Sequence, residues 1–134
     1  MKLTEENYVK QAEKAMQVLC NKTDKRGKKV SPVTTSKIRN LLAMTADIYN
    51  EVVNQPVETL SVEIKGQINY MKIHFIYSAG REPKVRELLE KADILTHIDE
   101  IGDSRMQYIL FSRYMEALVA YRKYYGEIYG EKDE

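Results

Sequence analysis

Along this chain, apolar residues recur every three or four positions within long stretches separated by short polar breaks. That spacing predicts amphipathic helices, and the strict alternation of a half-buried strand is missing almost everywhere. The first stretch runs from about Thr4 to Cys20, with Thr4 as N-cap and Glu5 and Glu6 in the first turn, where the helix dipole favours acids. Val9, Ala12, Met16 and Leu19 form its thin apolar stripe. A second helix starts among Thr34, Thr35 and Ser36 and continues to about Asn54, ended by Pro56. Its buried face is Ile38, Leu41, Leu42, Thr45, Ile48, Tyr49 and Val52.

The third helix spans about Glu58 to Ala79, with Leu60, Ile64, Ile68, Met71 and Phe75 on one face and Gly80 as its stop. Its later part, INYMKIHFIYSAG, is apolar nearly all round, which predicts a central position. Glu82-Pro83 opens a fourth helix carrying Val85, Leu88 and Leu89, with Pro83 at the first helical position. Asp93 or Thr96 caps a short fifth element ending at Gly102. Asp103 or Ser104 caps a long last helix that reaches Tyr125 or beyond. There Met106, Leu110, Tyr114, Ala117, Tyr121 and Tyr125 face one way, and Phe111, Met115 and Leu118 widen the stripe.

The expected fold is all-α: a compact bundle of five or six helices in a single domain of 134 residues. Residues 1–33 supply the N-terminal helix and a basic loop, 34–126 the helical core, and 127–134 a frayed tail. Composition narrows the setting. No apolar run approaches the ~18 residues that cross a membrane, so no membrane partner is expected. The N-terminal string MKLTEENYVKQAEKA has acids where a signal peptide is apolar. The single cysteine, Cys20, excludes an internal disulfide. These features point to the cytoplasm.

Charge changes the picture more. Between Asn21 and Asn40 stand seven cations (Lys22, Lys25, Arg26, Lys28, Lys29, Lys37 and Arg39) against one acid, Asp24, so the stretch carries +6. The whole chain carries only +1, leaving −5 for the remainder. Gly27 and Pro32 mark a loop that either binds a polyanion or is simply solvated. Lys37 and Arg39 stand out because they lie near the start of a rigid helix, where free backbone N–H groups also favour phosphate. Arg81 follows the expected helix stop; Arg122 and Lys123 lie among aromatics in VAYRKYYG; Lys72 sits on the polar side of the third helix.

Catalytic chemistry is hard to find. His74 lies in the apolar half of the third helix and reads as a core or interface residue; His97, beside Asp99 and Glu100, reads as a surface one. Neither has the spacing of a zinc site. Cys20 reads as a structural thiol, because nothing local would activate it. No Gly-rich phosphate loop occurs, and no cofactor is expected. Six of the ten tyrosines (Tyr108, Tyr114, Tyr121, Tyr124, Tyr125 and Tyr129) crowd the last helix. Tyrosines on a helix can stack bases, but a core and a protein interface account for them better.

Three strings in order, TTSKIRNLL (Thr34–Leu42), IYSAGRE (Ile76–Glu82) and YMEALVAYRKYYG (Tyr114–Gly126), resemble the small subunit of type III-A CRISPR–Cas effector complexes, the Csm small-subunit family. INYMKIHF and KADILTHIDEIG between them also fit, so the resemblance runs from about Val33 to Gly126. It implies a non-catalytic helical protein whose copies stack head to tail into a short filament beside the backbone subunits and the large signature subunit. It gives the basic residues a ligand, the sugar–phosphate backbone of guide RNA or single-stranded target RNA. Lys37, Arg39 and Arg81, and then Arg122 and Lys123, come from the matching strings. Lys72 is added from charge and spacing, and Lys28 and Lys29 from charge alone. The sequence also admits a helical protein–protein module with no RNA binding of its own. A small metal-dependent nuclease would need a carboxylate cluster.

Overall fold

In the computed structural model, which describes residues 1–130, six helices and no strand occur among the described residues. They are α1 (Tyr8–Cys20), α2 (Thr35–Asn54), α3 (Val62–Arg81), α4 (Pro83–Lys91), α5 (Ile94–Asp99) and α6 (Arg105–Tyr129). The all-α single domain expected from the periodicity is the fold observed.

The central helix is α6, not α3. Six consecutive residues, Gln107 to Ser112, are buried, so every side of α6 meets protein there. It packs chiefly against α1 and α2. Its polar side chains tie distant segments to it. Tyr108 Oη donates to Thr45 O at 2.7 Å, Tyr114 Oη to Ala92 O at 2.7 Å, and Gln107 Nε2 to Leu3 O at 2.9 Å. Each bond satisfies a group that would be costly to bury alone. By contrast α3 buries one stripe (Ile64, Ile68, Met71, Phe75 and Ala79) and leaves Tyr70, Ile73, Ile76 and Tyr77 exposed.

Several boundaries differ from expectation for local reasons. Thr4 and Asn7 cap each other, Thr4 N–H donating to Asn7 Oδ1 and Asn7 N–H to Thr4 Oγ1, and α1 proper begins at Tyr8. Val9, one residue into the helix, is exposed rather than part of the stripe. Glu58 to Leu60 is not helical. Leu60 N–H donates to Asp103 O at 2.8 Å and Arg105 N–H to Glu58 O at 3.0 Å, so this segment pairs with the approach to α6. The third helix starts only after Ser61, whose hydroxyl accepts from Ile64 N–H. It runs through Gly80 to Arg81. The stop comes from Pro83, which holds Glu82 in extended backbone (φ −128°, ψ 110°). Met106 is exposed. The expected fraying from 127 is replaced by helix to Tyr129, closed by Gly130 at φ +69°. Residues 131–134 of that expected tail lie outside the described residues.

Candidate nucleic-acid interface

The basic segment between α1 and α2 is an ordered turn, and its residues 21–29 are exposed. Asp24, its one acid, organises it: a carboxylate oxygen accepts from Arg26 N–H at 2.8 Å and Lys28 N–H at 2.9 Å. Asp24 N–H donates to Lys28 O, Val30 N–H donates to Lys22 O, and Thr23 bridges Lys29 in antiparallel fashion. Gly27 takes φ +77°, a conformation that suits glycine. This small hairpin turns the side chains of Lys25, Arg26 and Lys28 to solvent. It is anchored at both ends. Lys22 pairs with Glu87 on α4, and the Lys29 ammonium lies 4.2 Å from the Tyr129 ring centroid.

Beyond the hairpin, Thr34 caps α2 by accepting from Lys37 N–H. The Lys37 side chain turns to the α3–α4 corner and pairs with Glu82, both groups remaining about 40% exposed (41% and 40%). An exposed pair of this kind contributes about 0–1 kcal/mol, so a phosphate can compete with Glu82 for the ammonium. Arg39 points elsewhere. With Thr35 and Ser36 it forms one wall of an open groove of about 740 Å³, whose other wall is α6. On α6, positions 116, 119, 120, 123 and 124 share a face, which brings Val119, Ala120, Lys123 and Tyr124 to the groove. Among the described residues Glu116 is the only acid lining the groove.

Of the residues singled out from the sequence, Arg39 and Lys123 therefore meet in one groove. The others do not join them. Lys37 faces Glu82. Arg81 is exposed and lies over the Tyr77 ring, 5.7 Å from its centroid, at the end of α3. Lys72 pairs with Asp99 at 2.5 Å across α3 and α5. Lys28 and Lys29 belong to the hairpin. Arg122 is the clear departure: it is 0% exposed, and its Nε donates to Val33 O at 2.6 Å. Its guanidinium pins the segment leading into α2 onto α6, so it serves the fold and is not presented to a ligand.

The histidines also change places. His97 is buried, 2% exposed, and its ring meets Tyr114 edge-on at 5.0 Å. Nδ1 lies 3.2 Å from Glu100, to whose carboxylate it donates, and Nε2 has no hydrogen-bond partner among the described residues. Burial depresses its pKa below 6.5, against the opposing pull of Glu100 and Asp93, so the ring is neutral at pH 7. His74, by contrast, is exposed on α3 against Tyr70. Cys20 is buried. Burial pushes the Tyr108 and Tyr114 hydroxyls far above their usual range, consistent with their role as donors. Among the described residues no group of three His, Cys, Asp or Glu could hold a metal ion, and no helix is long and apolar enough to cross a membrane.

Sequence reasoning missed two parts of this site. Asp24 as the organiser of the hairpin was legible only as the lone acid in a basic run. The groove was legible, in principle, in the 116/119/120/123/124 spacing, which puts an aromatic and a cation on one face with two small aliphatic residues.

Comparison with known proteins agrees with the resemblance drawn from the three strings. A family model described as Csm2 Type III-A matches residues 13–128. The chain is 42% identical over 124 residues to the CRISPR system Cms protein Csm2 of Streptococcus thermophilus, covering 92% of this chain and 95% of that protein. It is 37% identical over 124 residues to the protein of the same name from Mycobacterium tuberculosis, with the same coverage. A third relative of that name, from Enterococcus italicus, is 38% identical over 99 residues, 69% of this chain and 68% of its own. The family match runs from within α1 to near the end of α6, including both walls of the groove, and the chain belongs to the Csm2 Type III-A family.

Proposed function

We propose that this chain is a non-catalytic small subunit of a type III-A CRISPR RNA-guided interference complex, where it holds the backbone of guide or target RNA and stabilises the assembly. The observation that carries the RNA reading is the meeting of Arg39 and Lys123, from two helices, in one open groove that a single acid lines among the described residues. The hairpin cations Lys25, Arg26 and Lys28, together with Lys29, Lys37 and Arg81, extend the positive surface. Contacts of this type position a nucleic acid without reading its sequence. Sequence is left to guide–target pairing, the division of labour in RNA-guided systems. The complex acts in the cytoplasm, with the backbone and large signature subunits as partners.

A second observation supports the assembly half of this role. Tyr70, Ile73 and Tyr77 lie three and four residues apart on the outer side of α3, and all are exposed. Such a face suits docking onto another subunit or a further copy in a short filament. A purely protein-binding module would use this face and leave the groove idle.

The test is fluorescence anisotropy of the full chain with a labelled single-stranded RNA of ~30 nucleotides at several salt concentrations. Binding is expected to fall with salt with a log–log slope of about −0.7 per phosphate contacted. The Arg39→Glu/Lys123→Glu pair weakens binding to all sequences alike and leaves the helical circular dichroism unchanged. Salt-insensitive binding, or a double variant that binds like the parent, overturns the RNA reading and leaves the protein-binding module.

A further inference from the structure

We propose that the α2–α6 groove takes a single unpaired nucleotide, its base stacked on Tyr124 and its flanking phosphates held by Arg39 and Lys123. This rests on the RNA reading above and names which part of the RNA the groove receives.

The six tyrosines of α6 do not behave alike. Tyr108, Tyr114 and Tyr125 are buried, and Tyr121 and Tyr129 are half-buried. Only Tyr124 turns its ring outward, 59% exposed, and it does so in the groove that holds the two cations. Core packing, which accounts for the first five, does not account for this one.

The ring is also fixed in place. It meets Tyr125 edge-on, with 5.2 Å between centroids and planes at 75°. Tyr125 in turn is stacked between Tyr121 and Tyr129, 5.9 Å from each, and its hydroxyl donates to Glu13 at 2.8 Å and accepts from Gln17 Nε2 at 3.0 Å. An exposed aromatic braced from behind by a locked neighbour loses little freedom when something stacks on it, which favours binding.

The surroundings narrow what stacks. A free phosphate would use Arg39 and Lys123 but has nothing to lay on a ring. An apolar side chain of a partner would use the ring but would not recompense the desolvation of two cations. A nucleotide of a single strand uses both, and every base offers a π-face, so the site tolerates any sequence. At about 740 Å³ the groove lies within the size range of small-ligand sites. A base already stacked and paired in a duplex has no free face, which restricts the ligand to unpaired or extruded nucleotides.

The experiment compares the parent, Tyr124→Ala and Tyr124→Phe on single-stranded RNA and on an abasic strand of equal length, all as full chains by anisotropy. On RNA with bases, Tyr124→Ala is expected to bind roughly tenfold more weakly, within the range for loss of one stacked base, while Tyr124→Phe binds like the parent. On the abasic strand, parent and Tyr124→Ala bind alike with the same salt slope. If Tyr124→Ala matches the parent on both strands while salt-dependent binding persists, the stacking site is wrong and the RNA role stands. Equal weakening on both strands makes Tyr124 a structural residue and also overturns the proposal. If the parent binds neither strand, the RNA role falls and this site with it.

Discussion

The helices α3 and α6 both contain a stretch that is apolar on nearly every side, and they meet opposite fates. In α6 the run from Gln107 to Ser112 is buried on every side, because α1 and α2 flank it and its polar atoms find backbone partners. In α3 one stripe is buried and the opposite side presents Tyr70, Ile73, Ile76 and Tyr77 to solvent. All-round apolarity in a helix therefore does not by itself place it at the centre. In α6 every side of that run is covered by its own chain; in α3 the outer side stays exposed.

The comparison can be broken first in the core. Phe111, fully buried on α6, should cost about 3–5 kcal/mol when changed to Ala, seen as a large drop in the denaturation midpoint. A drop of that size from Ile73→Ser instead would reverse the roles of the two helices. Next in size is Arg122→Ala, expected to cost about 1–3 kcal/mol because Val33 O loses its donor inside the fold. The neighbouring exposed Lys123→Ala should change stability by no more than about 0.5 kcal/mol. Equal effects at these two adjacent cations would remove the distinction between the buried and the presented one.

A smaller effect concerns pH. His97 has its pKa lowered in the fold by burial, so above 6.5 it is neutral in both states and contributes no pH dependence. As pH falls below 6.5 the unfolded chain takes the proton first and stability declines, by at most about 1.4 kcal/mol per pH unit. In His97→Gln that part of the acid slope should vanish in melts between pH 7 and pH 5. An unchanged slope would place the titration elsewhere. The smallest effect on stability is expected for Ile73→Ser/Tyr77→Ser, within about 0.5 kcal/mol of the parent. The same pair should lose concentration-dependent association in sedimentation if the outer face of α3 is an interface.

The helices were legible because their signals are local. Ser104 before α6, Thr34 before α2 and Pro83 opening α4 stand where caps and first-turn prolines stand. What escaped depended on distant contacts. Glu58 to Leu60 reads as helix in isolation, and only pairing with Asp103 and Arg105 keeps it extended. Arg122 and Lys123 are adjacent cations of one string, yet one is buried against Val33 and the other lines a groove. His97 has three polar neighbours in sequence, while the fold turns its ring onto Tyr114. The groove itself joins residues about eighty positions apart, which no local pattern encodes.

The most direct test of the account is photo-crosslinking of the full chain to single-stranded RNA carrying 4-thiouridine, with the modified peptides mapped by mass spectrometry. Crosslinks on the α6 segment that contains Lys123 and Tyr124, and on the start of α2 around Arg39, are the predicted result. Crosslinks confined to the outer face of α3, with none at the α2–α6 groove, would contradict it.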